Sequence, residues 1–200
     1  MKTVAIFDYG VGNMHSIRRG IEMAGAAAKI TTDRRDFRKA DAIVLPGVGA
    51  FRSAVELLEP AADLLKEEVE KGKPLLGVCL GMQLLFEWSD EGGLPGLGLI
   101  KGKVVKLPAK VKVPHMGWNS IDQNKKHAFL EGVPSGSYAY FVHSYCAKPT
   151  DTEAVIGTTD YGVKFPSIVA SGSMVGTQFH PEKSGALGLK MLANFVEAIA

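Results

Sequence analysis

Two short stretches of the chain carry residues able to break an amide bond. In Gly77-Val78-Cys79-Leu80-Gly81 a cysteine stands between two glycines, and in His180-Pro181-Glu182 an imidazole and a carboxylate lie two residues apart. A thiol that attacks a carbonyl needs a base to handle its proton and a third group to orient that base. A strand that ends in G-x-nucleophile-x-G and turns straight into a helix is a nucleophile elbow. The sharp turn lifts the nucleophile above the sheet edge, and small residues on both sides let strand and helix cross closely. Cys79 on such a turn would sit at a helix N-terminus, where free N–H groups and the dipole favour an anionic sulfur. The amide of Leu80 would face a developing oxyanion. His180 ends an apolar run, and Pro181 holds the chain extended after it. Residues two apart in extended chain face the same way, so Glu182 can orient the His180 ring. Cys79, His180 and Glu182 are therefore the candidate nucleophile, base and orienting acid. His143 competes as the base but has no acid two residues away. Cys146 reads as a packed structural thiol. A metal site on His180 and Glu182 lacks a third ligand at a recognisable spacing, so no metal is assigned.

The elements that must position these groups alternate in type through the first half. Thr3–Phe7 is a β-rich apolar run, followed by a glycine-rich turn. Asn13 is placed to cap a helix to about Gly25, with Ile17, Ile21 and Ala24 on one face. Short strands follow at Ala26–Thr32 and Ala42–Gly47. A helix around Val55–Leu58 is expected to be interrupted or restarted by Pro60, and Ala61–Gly72 is amphipathic with Gly72 as its C-cap. Pro74–Cys79 has no polar alternation, as expected of a parallel strand buried on both faces. Leu80–Trp88 reads as the helix after it. Ser89–Gly98 reads as a loop. The second half is richer in strands, at 102–108, 118–122, 137–145, 153–162, 166–172 and 174–180, and Gly185–Ile199 is a last helix. Strands alternating with helices imply a doubly wound α/β domain over residues 1–200. Its central sheet is mostly parallel with flanking helices, flavodoxin-like, and a smaller antiparallel β element comes from the second half.

The bulk numbers limit the partners. With 200 residues the chain can bury a sizeable core. A net charge of +2 gives no reason to expect nucleic acid or an anionic membrane. The basic cluster Asp33–Lys39 is interleaved with acids and reads as a solvated face. No secretory or membrane-spanning segment is recognisable, so a reducing cytoplasm and two free thiols are expected. Gly10 and Gly12 follow the first strand as in a dinucleotide fingerprint, but His15 occupies the third glycine position. The turn Pro46–Phe51 also follows a strand, at the same carboxyl edge as Cys79. Its N–H groups at Val48 and Gly49 are candidates to complete an oxyanion hole.

Beyond these local readings, GVCLGMQ (Gly77–Gln83) paired with a distant QFHPEKS (Gln178–Ser184) resembles the class I, triad-type glutamine amidotransferases. Within that family, DYGVGN (Asp8–Asn13), PGVGAF (Pro46–Phe51), PHMGWN (Pro114–Asn119), FVHSYC (Phe141–Cys146) and TTDYG (Thr158–Gly162) are similar to the glutaminase subunits of imidazole glycerol phosphate synthases, the amidotransferase–cyclases of histidine biosynthesis. Lys101 departs from the proline that the pattern leads one to expect, away from the candidate triad. The resemblance implies that Cys79 is the nucleophile, His180 the general acid/base and Glu182 its partner. It implies an oxyanion hole from Leu80 and the Val48–Gly49 turn, and a turn that has to flip before its amide points inward. Gln83 would hold substrate glutamine, Glu91 its α-ammonium, and the backbone at Ser144 and Tyr145 its α-carboxylate end. No cofactor is implied. The implied partner is a (β/α)8-barrel cyclase in a heterodimer, with Asn13, Met116 and Trp118 as candidates for the docking face, although Trp118 suits core packing nearly as well. Three other readings stay open: a glutaminase subunit of another synthase, a stand-alone γ-glutamyl or peptide cysteine hydrolase, and a flavodoxin-like binding or redox module using Cys79 and Cys146.

Overall fold

The computed structural model describes residues 1–10 and 14–199. Its first half alternates β1 (Thr3–Phe7), α1 (Met14–Met23), β2 (Ala27–Thr31), α2 (Arg34–Lys39), β3 (Ala42–Leu45), α3 (Phe51–Glu70), β4 (Leu75–Val78) and α4 (Leu80–Gln83). The second half adds β5 (Phe86–Ser89), β6 (Leu94–Pro95), β7 (Ile100–Lys106), β8 (His115–Gln123), β9 (Ser137–His143), β10 (Tyr145–Pro149), β11 (Val155–Asp160), β12 (Lys164–Ser171), β13 (Met174–Thr177) and α5 (Gly185–Glu197). Among the described residues the main sheet runs β2-β1-β3-β4-β13-β12-β11-β8-β9, and a smaller sheet runs β10-β7-β5-β6. From β2 to β13 the main sheet is parallel, and from β13 to β9 antiparallel. Every residue of β3, β4 and β13 is buried, which is why these strands show no polar alternation. No described helix is long and apolar enough to cross a membrane.

Three expectations need correction. First, α3 runs unbroken through Pro60. Pro60 and Glu56, the residue whose carbonyl loses its intrahelical donor, are both exposed, so water can serve that carbonyl. The buried stripe of Ala54, Leu58, Ala61, Leu64 and Leu65 holds the helix against the sheet on either side of the proline. Second, the helix after Cys79 is a single turn. The carbonyls of Leu84 and Leu85 are taken by the N–H groups of Leu97, Leu99 and Ile100, which draws the chain into β5. Third, the stretch Ser89–Gly98 is not all loop, since Leu94–Pro95 pairs with β5. The Asp33–Lys39 cluster is a short helix capped by the Asp33 side chain, with charges outward and Phe37 buried. Asn13, expected to cap α1 and to face a partner, lies outside the described residues.

Close backbone crossings build the corner after β4. A Cβ on Gly81 would lie 1.7 Å from the carbonyl oxygen of Leu45, and one on Gly77 would lie 2.8 Å from backbone atoms of Gly81 and Met82. A Cβ on Gly47 would lie 2.8 Å from that of Leu80, so the Pro46–Gly49 turn is seated directly on the corner.

The β8–β9 hairpin divides its side chains by face. Met116, Trp118 and Tyr138 point outward and are 63%, 56% and 63% exposed, so Trp118 is a surface residue and not part of the core. On the other face His115 pairs with His143 across the strands. The His115 ring is stacked on Tyr161 at 4.0 Å and on Phe141 at 4.9 Å. Hydrogen bonds fix both tautomers. His143 Nδ1 must donate to the Tyr145 carbonyl at 2.8 Å. Its Nε2 then accepts from His115 Nδ1 at 2.9 Å, and His115 Nε2 accepts from Asn119 Nδ2 at 3.3 Å. Burial in this aromatic cage pushes both imidazoles well below their usual pKa, and both are neutral near pH 7.

Two outcomes follow from this packing. Gly81→Ala should cost more than about 3 kcal/mol or prevent folding, because its methyl group would overlap a backbone oxygen. Gly98→Ala, with nothing within 4 Å and only a positive φ to strain, should cost about 1 kcal/mol in urea denaturation. Histidines with lowered folded-state pKa stabilise the fold above their ordinary value of 6.5 and lose that contribution as pH falls toward 4. Unfolding free energy measured from pH 7 to pH 4 should therefore fall more steeply in the wild type than in His115→Phe, which keeps the ring stack but cannot take up the proton.

Candidate active site

Cys79 has φ 53° and ψ −106°, and it is the one described non-glycine residue with positive φ. A side chain held in such a conformation costs of order 1–3 kcal/mol and persists only where its surroundings over-determine it. Here the Cys79 N–H donates to the Thr177 carbonyl at 2.7 Å, continuing the β4–β13 ladder past its last pair, Val78 with Thr177. The strand thus holds the residue on one side while the tight crossing of α4 turns it on the other. Since α4 is only one turn long, it offers free N–H groups rather than a long helix dipole.

The same register brings the second motif to the same edge, because the chain leaves β13 through Gln178 and Phe179 to His180. The His180 N–H donates to the Tyr140 carbonyl at 2.9 Å, and the Ser184 hydroxyl bridges the His180 carbonyl to the Tyr140 N–H. These bonds tie the His180 turn to β9. The His180 ring is buried, and its Nδ1 lies 2.8 Å from Glu182 Oε1. Its Nε2 is buried near the Cys79 sulfur and, among the described residues, makes no well-formed hydrogen bond. Burial opposes the charged ring, but the Cys79 thiol and the Glu182 carboxylate on either side favour it more strongly. Together they raise the imidazole to a pKa of about 10. The Cys79 sulfur itself is 3.7 Å from the Val142 carbonyl oxygen and 3.7 Å from Gln178 Nε2.

A cavity of about 250 Å³ opens over the sulfur. Val48, Gly49, Cys79, Leu80, Gln83, Glu91, Ser144 and Tyr145 all line it, so the structure gathers every residue that the sequence suggested for substrate contact. Burial raises the pKa of Glu91, and only the Phe51 backbone N–H works against that, which leaves a carboxylate in want of a cation. Gln83 Nε2 donates to the Tyr145 carbonyl at 3.0 Å and to Gln178 Oε1 at 3.2 Å, locking α4 to β10. His143 also lines the cavity, but both its ring nitrogens are committed and its pKa is low, so it is not available as the base. Pro114 and Val142 complete the rim. Cys79 and Cys146 are both free, and burial pushes the Cys146 thiol up to about 11, away from reactivity at neutral pH. Among the described residues no cluster of three or more His, Cys, Asp or Glu is placed to hold a metal. Sequence reasoning missed Gln178. Its signal was its place just past the end of β13, two residues before His180.

Comparison with known proteins identifies the family. The family profile described as glutamine amidotransferase class-I matches residues 5–199. The chain is 50% identical to the imidazole glycerol phosphate synthase subunit HisH of Natronomonas pharaonis, over 97% of this chain and 94% of that protein. It is 46% identical to the HisH subunit of Caldanaerobacter subterraneus subsp. tengcongensis, over 98% of each. Among solved structures it is similar to a glutamine amidotransferase, with TM-score 0.77, 19% identity and 97% of each chain covered. It is also similar to PurLQS from Thermotoga maritima, with TM-score 0.75, 18% identity and 100% and 99% covered. These two likenesses concern the fold. A cysteine elbow at the edge of this sheet, a histidine–glutamate pair beside it and relatives of such identity over nearly the full chain lead to one conclusion: the chain belongs to the class I glutamine amidotransferase family, among the HisH-type subunits.

Proposed function

We propose that this chain is the glutaminase subunit of an imidazole glycerol phosphate synthase, acting in the cytoplasm as one amidotransferase domain over residues 1–200. It hydrolyses glutamine to glutamate and ammonia and passes the ammonia to a cyclase of the (β/α)8-barrel type, in a heterodimer that serves histidine biosynthesis. The observation that carries this reading is a cavity lined by a strained Cys79 and by Glu91, with the His180–Glu182 pair close beside the sulfur.

In the reaction, the Cys79 thiolate attacks the carboxamide carbon of glutamine and a C–S bond forms. The tetrahedral oxyanion is held by the Leu80 amide and by one from the Val48–Gly49 turn, each contributing about 3 kcal/mol. His180, charged between Cys79 and Glu182, gives the Nε2 proton to the departing nitrogen, the C–N bond breaks, and ammonia leaves a thioester. The neutral ring then takes a proton from water, whose oxygen attacks the thioester. The C–S bond breaks, glutamate departs, and the thiolate and charged ring are restored. Glu91 receives the α-ammonium of glutamine, and the Ser144–Tyr145 backbone its α-carboxylate end. Gln83 shapes the floor.

Ammonia that escapes into water at neutral pH is protonated and loses its nucleophilicity, so a docked acceptor enzyme is needed. The outward face of β8 and β9 suits that contact. Met116, Trp118 and Tyr138 form an exposed apolar stripe, and Met116 pairs with Val142 at the cavity rim. Aromatic and methionine side chains of this kind are enriched in interfaces.

Cys79→Ala should abolish glutamine-dependent synthesis by the complex and leave ammonia-dependent synthesis intact. Glutaminase turnover, assayed as glutamate release, should be low for the subunit alone and rise when cyclase and its nucleotide ligand are added. Equal rates with and without the cyclase would instead identify a stand-alone hydrolase. Trp118→Ala should weaken the affinity for the cyclase by about 2 kcal/mol in a calorimetric titration, with unchanged thermal unfolding of the free subunit.

A further inference from the structure

Gln178 is fully buried and lies between the pocket floor and the reacting sulfur. Its backbone N–H donates to the Ser167 carbonyl at 2.9 Å, which fixes where its side chain starts. The orientation of its carboxamide follows from a chain of groups with no freedom to reverse. The Tyr145 carbonyl can only accept, so the Gln83 side chain must present its NH2 there, at 3.0 Å. That same NH2 faces Gln178 at 3.2 Å and needs an acceptor, so the Gln178 oxygen points to Gln83. The Gln178 NH2 is left facing Cys79 Sγ at 3.7 Å. Among the described residues the sulfur has the Val142 carbonyl beside it as acceptor and the Gln178 NH2 as donor. A thiol can use its hydrogen on Val142. An anionic sulfur has only the Gln178 NH2 and the imidazolium to lean on.

The geometry points to Gln178 as a further catalytic residue, whose carboxamide NH2 donates to the Cys79 sulfur and holds its anionic form both before attack on glutamine and when the thioester releases it. Hydrogen bonds to charged acceptors are roughly twice as strong as neutral ones. A carboxamide held through its oxygen by Gln83 and through its backbone by Ser167, rather than by water, keeps that strength through both steps without reorganising. The inference rests on Cys79 being the nucleophile, as proposed above.

The test uses the full-length subunit and iodoacetamide, a small electrophile that reports on the sulfur without needing the glutamine pocket. Gln178→Met keeps length and bulk but has no donor. It should slow alkylation of Cys79 at pH 7 by about tenfold, followed by mass spectrometry of the Cys79 peptide, and move the pH profile of alkylation toward alkaline pH. In the complex with the cyclase its kcat should fall in proportion, with KM for glutamine held within about twofold. A variant with wild-type alkylation rate and profile, or one that loses KM alone, overturns the inference. A second measurement does not depend on that variant folding. In 15N-labelled wild-type protein the side-chain NH2 signals of Gln178 should move as pH is raised, and the movement should vanish in Cys79→Ala. Signals that ignore the loss of the sulfur also overturn it. If a glutamine-mimicking electrophile fails to label Cys79 in the wild type, the nucleophile assignment itself falls, which is a separable result.

Discussion

The hydrogen bond from the Cys79 N–H to the Thr177 carbonyl carries the arrangement of the whole site. It extends a parallel ladder by one step beyond the last strand residues, and in a parallel pair both carboxyl ends emerge at the same edge. The residue after β4 is therefore Cys79, and the segment after β13 leads to Gln178 and His180. A slip of this pairing by one residue would exchange the faces of the β13 side chains and move His180 away from the sulfur. Burial on both faces of both strands makes such a slip costly. Register, and not the local chemistry of either motif, is what unites residues half the chain apart.

The corner after β4 shows how a strained conformation is kept in place. Cys79 would relax if the backbone around it could expand, but Gly77, Gly81 and Gly47 let three segments press together without side chains between them. The strained residue is thus confined by contacts that belong to the core and not to the substrate. This is the expected logic where a reactive group has to be ready before anything binds.

Much of this was legible in the residues themselves, and the reasons differ. The glycine pattern around Cys79 is a local steric requirement, so it can be read from five residues. The fully apolar runs of β3 and β4 announce burial on both faces. His180 and Glu182 could be read as a pair, but not for the reason expected: the chain after His180 is not extended, and a 3-10 turn over Pro181–Lys183 brings the Glu182 carboxylate onto His180 Nδ1. What could not be read depends on partners distant in sequence. Leu84 to Phe86 are apolar enough for a buried helix or a buried strand, and the choice falls to the 97–100 segment that captures the carbonyls of Leu84 and Leu85. Pro60 lies on a solvent-facing side of α3 that only the packed helix defines. Gln178 looks like any strand-end amide until Gln83 and Cys79 are placed on either side of it.

Two kinds of histidine environment within a few residues of the same cavity divide the proton chemistry. His143 is held neutral, hydrogen-bonded through His115 to Asn119 and surrounded by aromatic rings that offer no charge to a proton. His180 is equally buried, but the Glu182 carboxylate holds its Nδ1 and the nearby Cys79 sulfur, when anionic, also favours its charge. Burial disfavours charge in both, and only His180 has anionic partners to reverse that preference. The neutral pair can then serve as a rigid brace, fixing the Tyr145 carbonyl and through it the Gln83 amide. A proton taken up at His143 Nε2 would cost the bond accepted from His115 Nδ1, while the Nδ1–H bond to the Tyr145 carbonyl would remain. Keeping His115 and His143 uncharged therefore preserves the joint between them, while the charge at His180 is kept for the proton that the reaction moves.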